Sequence, residues 1–249
     1  MSTAVKSCAA VLLCLCIGSL GVAPAALAEP VDRSEVEKIV REYIQQNPGI
    51  IGDALTELQN RSEAAQAEAR TAVVAAETDA LLRSDGDVVL GNPDGDVTLV
   101  EFFDFNCGYC KRAAPDVKAL VAEDPGLRVV LKDFPILGPG SVEAAKVALS
   151  VKRLEGEAVA QEFHLRLIGV QGQINGGRAL ALAEEMGLDR KRIEEEMRSA
   201  EIEAIISSNL SLAQRLGLTG TPSFIVGDQV IMGAVGKEPL QDAIEKTRK

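Results

Sequence analysis

Apolar side chains recur along this chain in more than one rhythm, and each rhythm predicts a different element. Up to about residue 83 the spacing is helical. Val36, Ile39, Val40, Tyr43 and Ile44 fall three or four apart, Asn47-Pro48-Gly49 interrupts them, and Ile50, Ile51, Ala54, Leu55 and Leu58 resume. Ser34 and Glu37 stand at capping-box spacing ahead of the first run. From Gln59 to Ala80 the chain is rich in Ala, Glu, Gln and Arg, with Val73 and Val74 as its only sizeable apolar side chains, which predicts a helix with little to bury. Two readings fit residues 31–83: a helix lying on the main domain, or an arm whose apolar hairpin pairs with another subunit. The second is favoured, because two apolar faces followed by a polar spacer make a weak single-chain core.

The rhythm then changes. Residues 88–90, a turn signal at 91–95, and the run 97–103 predict two strands, the second apolar almost without a break and so buried on both faces. Residues 111–122 read as a helix carrying Pro115, and 127–132 as a strand. Strand, helix and strand make a right-handed βαβ unit with parallel pairing. Residues 140–216 are helical throughout, with helices predicted at 142–154, 157–168, 178–186, 190–197 and 201–216. Thr221-Pro222, strands at 223–226 and 229–232, and a helix at 238–247 follow.

Residues 1–28 are set apart from this pattern. Lys6, an apolar run over 9–22 and Ala26-Leu27-Ala28 predict a cleaved signal peptide and export to the periplasm. The run is too short and interrupted for a convincing membrane span, although a retained anchor is the alternative. Acylation at Cys14 or Cys16 fits poorly, because Leu precedes each. The whole chain carries 37 acidic against 26 basic residues, a net charge of −11. Removing Lys6 with the leader takes this to about −12, and no basic stripe stands out, so nucleic acid and anionic membranes are poor partners.

Cleavage also simplifies the cysteines. Of five, Cys8, Cys14 and Cys16 lie in the leader, leaving Cys107 and Cys110 in an oxidising compartment. A mature chain of this size can bury a full core, and a bridge across two residues removes little chain entropy, so a stapling role is disfavoured. Zinc wants four ligands, and the mature chain offers these two cysteines and one histidine, His164, far along the sequence. Cu(I) held by the Cys107 and Cys110 thiolates remains open as a copper-tolerance role. Redox chemistry is favoured. Cys107 would stand at a helix N-terminus, where backbone N–H groups and the helix dipole stabilise a thiolate, and Cys110 lies within reach to resolve a mixed disulfide. No cofactor is expected beyond the redox-active Cys107–Cys110 disulfide. Glu101 is an acid in an apolar strand, where desolvation raises its pKa unless the strand is an edge. His164, alone in a helix, reads as structural.

Glu101-Phe102-Phe103-Asp104-Phe105-Asn106-Cys107-Gly108-Tyr109-Cys110 resembles the active-site strand of DsbA-like thioredoxin-fold proteins, and Thr221-Pro222 ahead of a strand resembles their cis-proline loop. The N-terminal helices, 90–96 and Phe134-Pro135-Ile136-Leu137-Gly138 further resemble the branch of Com1-like and C-type suppressor-of-copper-sensitivity proteins. The resemblance implies an α/β chain. A thioredoxin-like catalytic domain over 84–249, with a helical insertion at about 139–217, would follow an oligomerisation arm over 29–83. It implies an exposed nucleophile at Cys107, a buried partner at Cys110 and a proton-transfer acid at Glu101. Gly108, Tyr109, Thr221 and Pro222 would meet the substrate. Sequence statistics alone favour a trans bond before Pro222; the resemblance implies cis. The expected partners are exported cysteine-containing proteins, a membrane redox partner, and further copies of the chain, a trimer being favoured.

One departure shapes the expected activity. Strongly oxidising relatives carry Pro-His between the cysteines, and this chain carries Gly108-Tyr109. Tyr109 cannot supply the positive charge that a histidine offers the thiolate. The expectation therefore leans from a DsbA-type dithiol oxidase toward a reductase or disulfide isomerase.

Overall fold

A computed structural model of the chain describes residues 32–249. The expected signal peptide at 1–28 lies outside the described residues. The described chain falls into two units, one running to Glu57 and the other spanning Leu58–Lys249.

The first unit holds helix α1 (Arg33–Gln46) and the start of α2 (Gly49–Ala76). The expected Ser34–Glu37 box does not form. Asp32 caps α1 instead, accepting from the Ser34 N–H at 3.3 Å and the Ser34 hydroxyl at 2.5 Å, while Glu37 pairs with Arg33. A carboxylate is the stronger acceptor at a helix N-terminus, and it draws the cap two residues earlier. Asn47, expected as a breaker, is the C-cap and donates its side-chain amide to the Tyr43 carbonyl. No residue of α1 is buried.

The second unit is built on a five-stranded sheet in the order β1-β3-β2-β4-β5. Its members are β1 (Val88–Gly91), β2 (Val97–Phe103), β3 (Leu127–Asp133), β4 (Ser223–Val226) and β5 (Gln229–Met232). The expected βαβ unit is present: β2 and β3 are parallel, joined through α4 (Gly108–Glu123), while every other pairing is antiparallel. Alternation along β2 and β3 sends their side chains to two cores. Leu99, Phe103, Val129 and Leu131 enter the larger one, with α4, the C-terminal helix α10 (Lys237–Thr247) and the helical insertion. The insertion comprises α5 (Pro139–Glu155), α6 (Glu157–Ile168), α7 (Gly176–Glu185), α8 (Arg190–Glu196) and α9 (Ala200–Arg215).

Val100, Phe102 and Val130 enter the smaller core on the other face, against Leu212, Ala213 and Leu216 at the end of α9. Val74 of α2 and Leu81 of α3 (Thr78–Leu82) complete that core. The polar stretch that promised little to bury thus ends by covering the sheet. Lys132 also faces this side, fully buried, with its ammonium 2.6 Å from Asp87. Burial pushes both toward their neutral forms, Asp87 up to about 6, and each opposes the shift in the other.

Candidate active site

The chemistry sits where β2 gives way to α4. Phe103 ends the strand, Asp104-Phe105-Asn106 turns the chain, and Cys107 is the N-cap of α4. Asp104 holds the turn: its carbonyl accepts from the Cys107 N–H at 2.9 Å, and its buried carboxylate accepts from the N–H groups of Asn106 and Leu137. Asn106 then ties the loop to the insertion. Its side-chain oxygen accepts from the Ile174 N–H at 2.6 Å, and its amide donates to the Ile174 carbonyl at 2.8 Å and the Ser141 hydroxyl at 3.0 Å. One turn on, the Lys111 ammonium donates to the carbonyls of Val170 and Gly172. Asn106 and Lys111 therefore fix the thiol loop and the α6–α7 loop to one another.

Cys107 and Cys110 are free thiols. The expected contrast between an exposed and a buried cysteine is smaller than the resemblance implied: Cys107 is 6% exposed and Cys110 1%. The loop before β4 covers the nucleophile, and the Cys107 Sγ–H donates to the Thr221 carbonyl at 3.2 Å. The Thr221-Pro222 bond is cis, and the Pro222 carbonyl accepts from the Gly233 N–H. Cys110, on the inner face of α4, has its thiol pushed far above the usual range, first by burial and then by the charges of Glu101 and Cys107.

Glu101 lies in β2 between Leu131 of β3 and Phe224 of β4, in a central strand and not at an edge. It is buried, and burial raises its carboxyl to about 8. Tyr109 is exposed, and the Arg112 guanidinium lies 4.2 Å over its ring, a cation–π contact at the rim. The flanking loops also present exposed apolar side chains, Leu137, whose N–H bonds Asp104, and Val235, two residues after the Gly233 that bonds Pro222. Among the described residues no cluster of three His, Cys, Asp or Glu could hold a metal, and no helix is long and apolar enough to cross a membrane.

Residues 98–245 match the DSBA-like thioredoxin domain. This chain belongs to the DSBA-like thioredoxin family. Residues 32–65 separately match the N-terminal domain of copper resistance protein ScsC. Among solved structures, a thioredoxin-like oxidoreductase from Silicibacter pomeroyi DSS-3 shares 44% identity at a TM-score of 0.65, covering 68% of this chain and 96% of that one. A linker-deleted N6K mutant of Proteus mirabilis ScsC shares 26% at 0.68, covering 91% and 99%. The curated Na(+)/H(+) antiporter NhaA 1 of Salinispora arenicola is 30% identical over 161 residues, or 64% of this chain. The chain spans only 24% of that antiporter's length.

Within this DSBA-like frame the sequence-predicted residues come together. Cys107, Cys110, Gly108 and Tyr109 occupy one junction, the Thr221 carbonyl meets Cys107 from the loop before β4 with cis-Pro222 next in the chain, and Glu101 lies behind Cys110. Asp104, Asn106, Lys111 and Arg112 went unsingled by sequence reasoning. Their signal was weak: polar side chains beside a redox pair, with partners for Asn106 and Lys111 that lie 35 to 68 residues away.

Proposed function

We propose that this chain is an exported protein thiol–disulfide oxidoreductase, working as an oligomeric disulfide isomerase or reductase on cysteine-containing proteins of the periplasm. The observation that carries the reading is the seat of Cys107. Its thiol stands at the first turn of α4, where backbone N–H groups lack helical partners, and opposite the cis-Pro222 loop. A Cys107 thiolate attacks a substrate disulfide and forms a mixed disulfide. Either Cys110 or another substrate thiol then displaces Cys107. Glu101 is the acceptor for the proton that leaves Cys110, which sits beside it behind the helix. Its raised carboxyl ties this step to pH: it gains rate as pH rises through about 8, where Glu101 becomes a carboxylate.

Gly108, Tyr109, Thr221 and Pro222 form the substrate approach, and the exposed Leu137 and Val235 suit apolar segments of unfolded chains. The isomerase preference rests on Gly108-Tyr109 between the cysteines and on the first unit. There Val36, Ile39, Val40, Tyr43, Ile44 and Ile51 are all exposed, a surface suited to self-association, with a trimer favoured. A membrane redox partner would keep the pair reduced, and residues 1–28 would direct export. A second reading, Cu(I) sequestration by the two thiols, takes its support from the match to the copper resistance protein over residues 32–65.

Scrambled ribonuclease tests the main reading. The mature chain should restore its activity, and recovery near wild type with Cys107→Ala would overturn the proposal. Mass in solution should show an oligomer for the mature chain and a monomer for a chain starting at Leu58. A start there keeps Val74 and Leu81 in their core. A monomer in both cases would leave the dithiol oxidase reading. Competition with a Cu(I) chelator tests the copper role, which no more affinity than a simple dithiol would dismiss.

A further inference from the structure

Behind Cys110 a narrow, partly open pocket of about 10 Å³ reaches into the larger core past the exposed Leu165, with room for the centre of a single water. Three of its lining residues are ionisable: Glu101 from β2, Cys110 from α4 and His164 from α6. The remaining wall, contributed by β1, β2, β3, α4 and α6, is apolar. Glu101 and His164 are both buried, and burial is the one influence that moves either from its ordinary proton affinity, His164 down to about 3. Neither side chain hydrogen-bonds another described residue. Neither has a polar atom sealed off from water, and both line this one water-sized space, so a single water there can serve both. The His164 ring is held edge-on to Phe103 at 4.7 Å and tilted on Phe105 at 5.4 Å, so its orientation is set by the strand and loop that lead to Cys107.

We propose that this cavity binds one water bridging the Glu101 carboxyl and the His164 imidazole beside the Cys110 thiol, and that His164 is the positioning residue for proton transfer from Cys110. This rests on the thiol–disulfide reading above. A neutral imidazole carries one donor and one acceptor nitrogen, so it orients a water without adding charge to an apolar site. The step balances. The Cys110 S–H proton passes through the water to the Glu101 carboxylate, and the Cys110 sulfur attacks Cys107 in the mixed disulfide. The Cys107–Cys110 bond forms, the Cys107–substrate bond breaks, and the substrate departs as a thiolate that takes a proton from solvent.

The test uses the reduced full chain and an aromatic disulfide whose thiolate product is coloured. A first phase reports attack by Cys107, and a second reports displacement by Cys110. His164→Phe should slow the second phase about tenfold while changing the first by less than about twofold, and His164→Gln should recover the second to within about threefold. The slowing should be greatest above about pH 8, where Glu101 is ionised. An unchanged second phase in His164→Phe would overturn the proposal, as would equal slowing of both phases in both variants. Absence of the first phase in the wild-type chain would overturn the thiol–disulfide reading together with this one. A readout without substitution at the site uses the chain's sole histidine. Its ring resonances should shift as Glu101 titrates near about 8. Resonances flat through that range would also overturn the water bridge.

Discussion

In the unit that ends at Glu57, Ile39 and Tyr43 are each 58% exposed and α1 buries nothing. In the unit that begins at Leu58, Glu101, Lys132, Asp133 and His164 are all buried. Apolar groups outside and ionisable groups inside are the two placements that water disfavours, and each is informative for that reason. The exposed apolar face of α1 is the surface that the proposed self-association would cover. Two sets among these buried groups contrast. Lys132 has its counter-charge in Asp87, whereas Glu101 and His164 have none and sit behind the reactive pair. Pairing marks Lys132 as a structural charge, and its lack behind the thiols leaves Glu101 and His164 to the proton transfer proposed above.

Substitutions can break this comparison in order of effect. The largest loss is expected at the structural pair. Lys132→Met leaves Asp87 buried without its cation and should destabilise the fold by about 3–5 kcal/mol in denaturant titration at neutral pH. A loss below about 1 kcal/mol would mean the pair is reached by solvent. Glu101→Gln should act in the opposite direction. Its folded carboxyl lies at about 8 against an ordinary 4.5, so the native state holds a proton that the unfolded chain releases. The wild type therefore loses stability as pH rises between those values, and Glu101→Gln should be more stable by a few kcal/mol, at most, above about pH 8. Below about pH 4 the two proteins should unfold alike; above about pH 8 displacement of Cys107 from the mixed disulfide by Cys110 should be about a hundredfold slower in the variant, read from the release of the substrate thiolate.

Asn106→Ala sharpens the comparison within the second unit. It strips partners from Ile174 and Ser141 and should cost about 1–3 kcal/mol. It should also move the reduction potential of the Cys107–Cys110 couple, measured against glutathione. An unchanged potential would reduce Asn106 to a structural tie. The smallest effect on fold stability belongs to the first unit: Ile39→Ser should shift the unfolding of the Leu58–Lys249 unit by less than about 0.5 kcal/mol. The same change should weaken self-association, read from mass in solution. Intact assembly in the variant would remove the functional meaning of the exposed face.

How far the sequence was legible follows from where each residue's partners lie. The unbroken run through β2, the redox pair at its end and the parallel return along β3 rest on local pattern, and they appear in the structure as expected. The fate of residues 73–82 was harder to read. Val73, Val74 and Leu81 are few among polar neighbours, and the sheet face that they cover is a tertiary fact with no local trace. Lys132 read as an ordinary strand residue, because Asp87 stands 45 positions earlier. His164 read as structural, because nothing near it in sequence reports that its ring shares a space with Glu101 and Cys110. Even the first helix cap moved, from Ser34 to Asp32, because two cap formers two positions apart competed and the carboxylate won.

The ties that frame Cys107 have a consequence for how the protein is made. The thiol loop takes its bonds from Ile174, 68 positions after Asn106, and from Thr221, 114 positions after Cys107. During synthesis the two thiols therefore emerge well before the segments that hold and cover them. A growing chain presents a bare dithiol, and only completion through β4 turns that pair into a shielded one. Its own maturation is thus an early occasion on which its cysteines need protection.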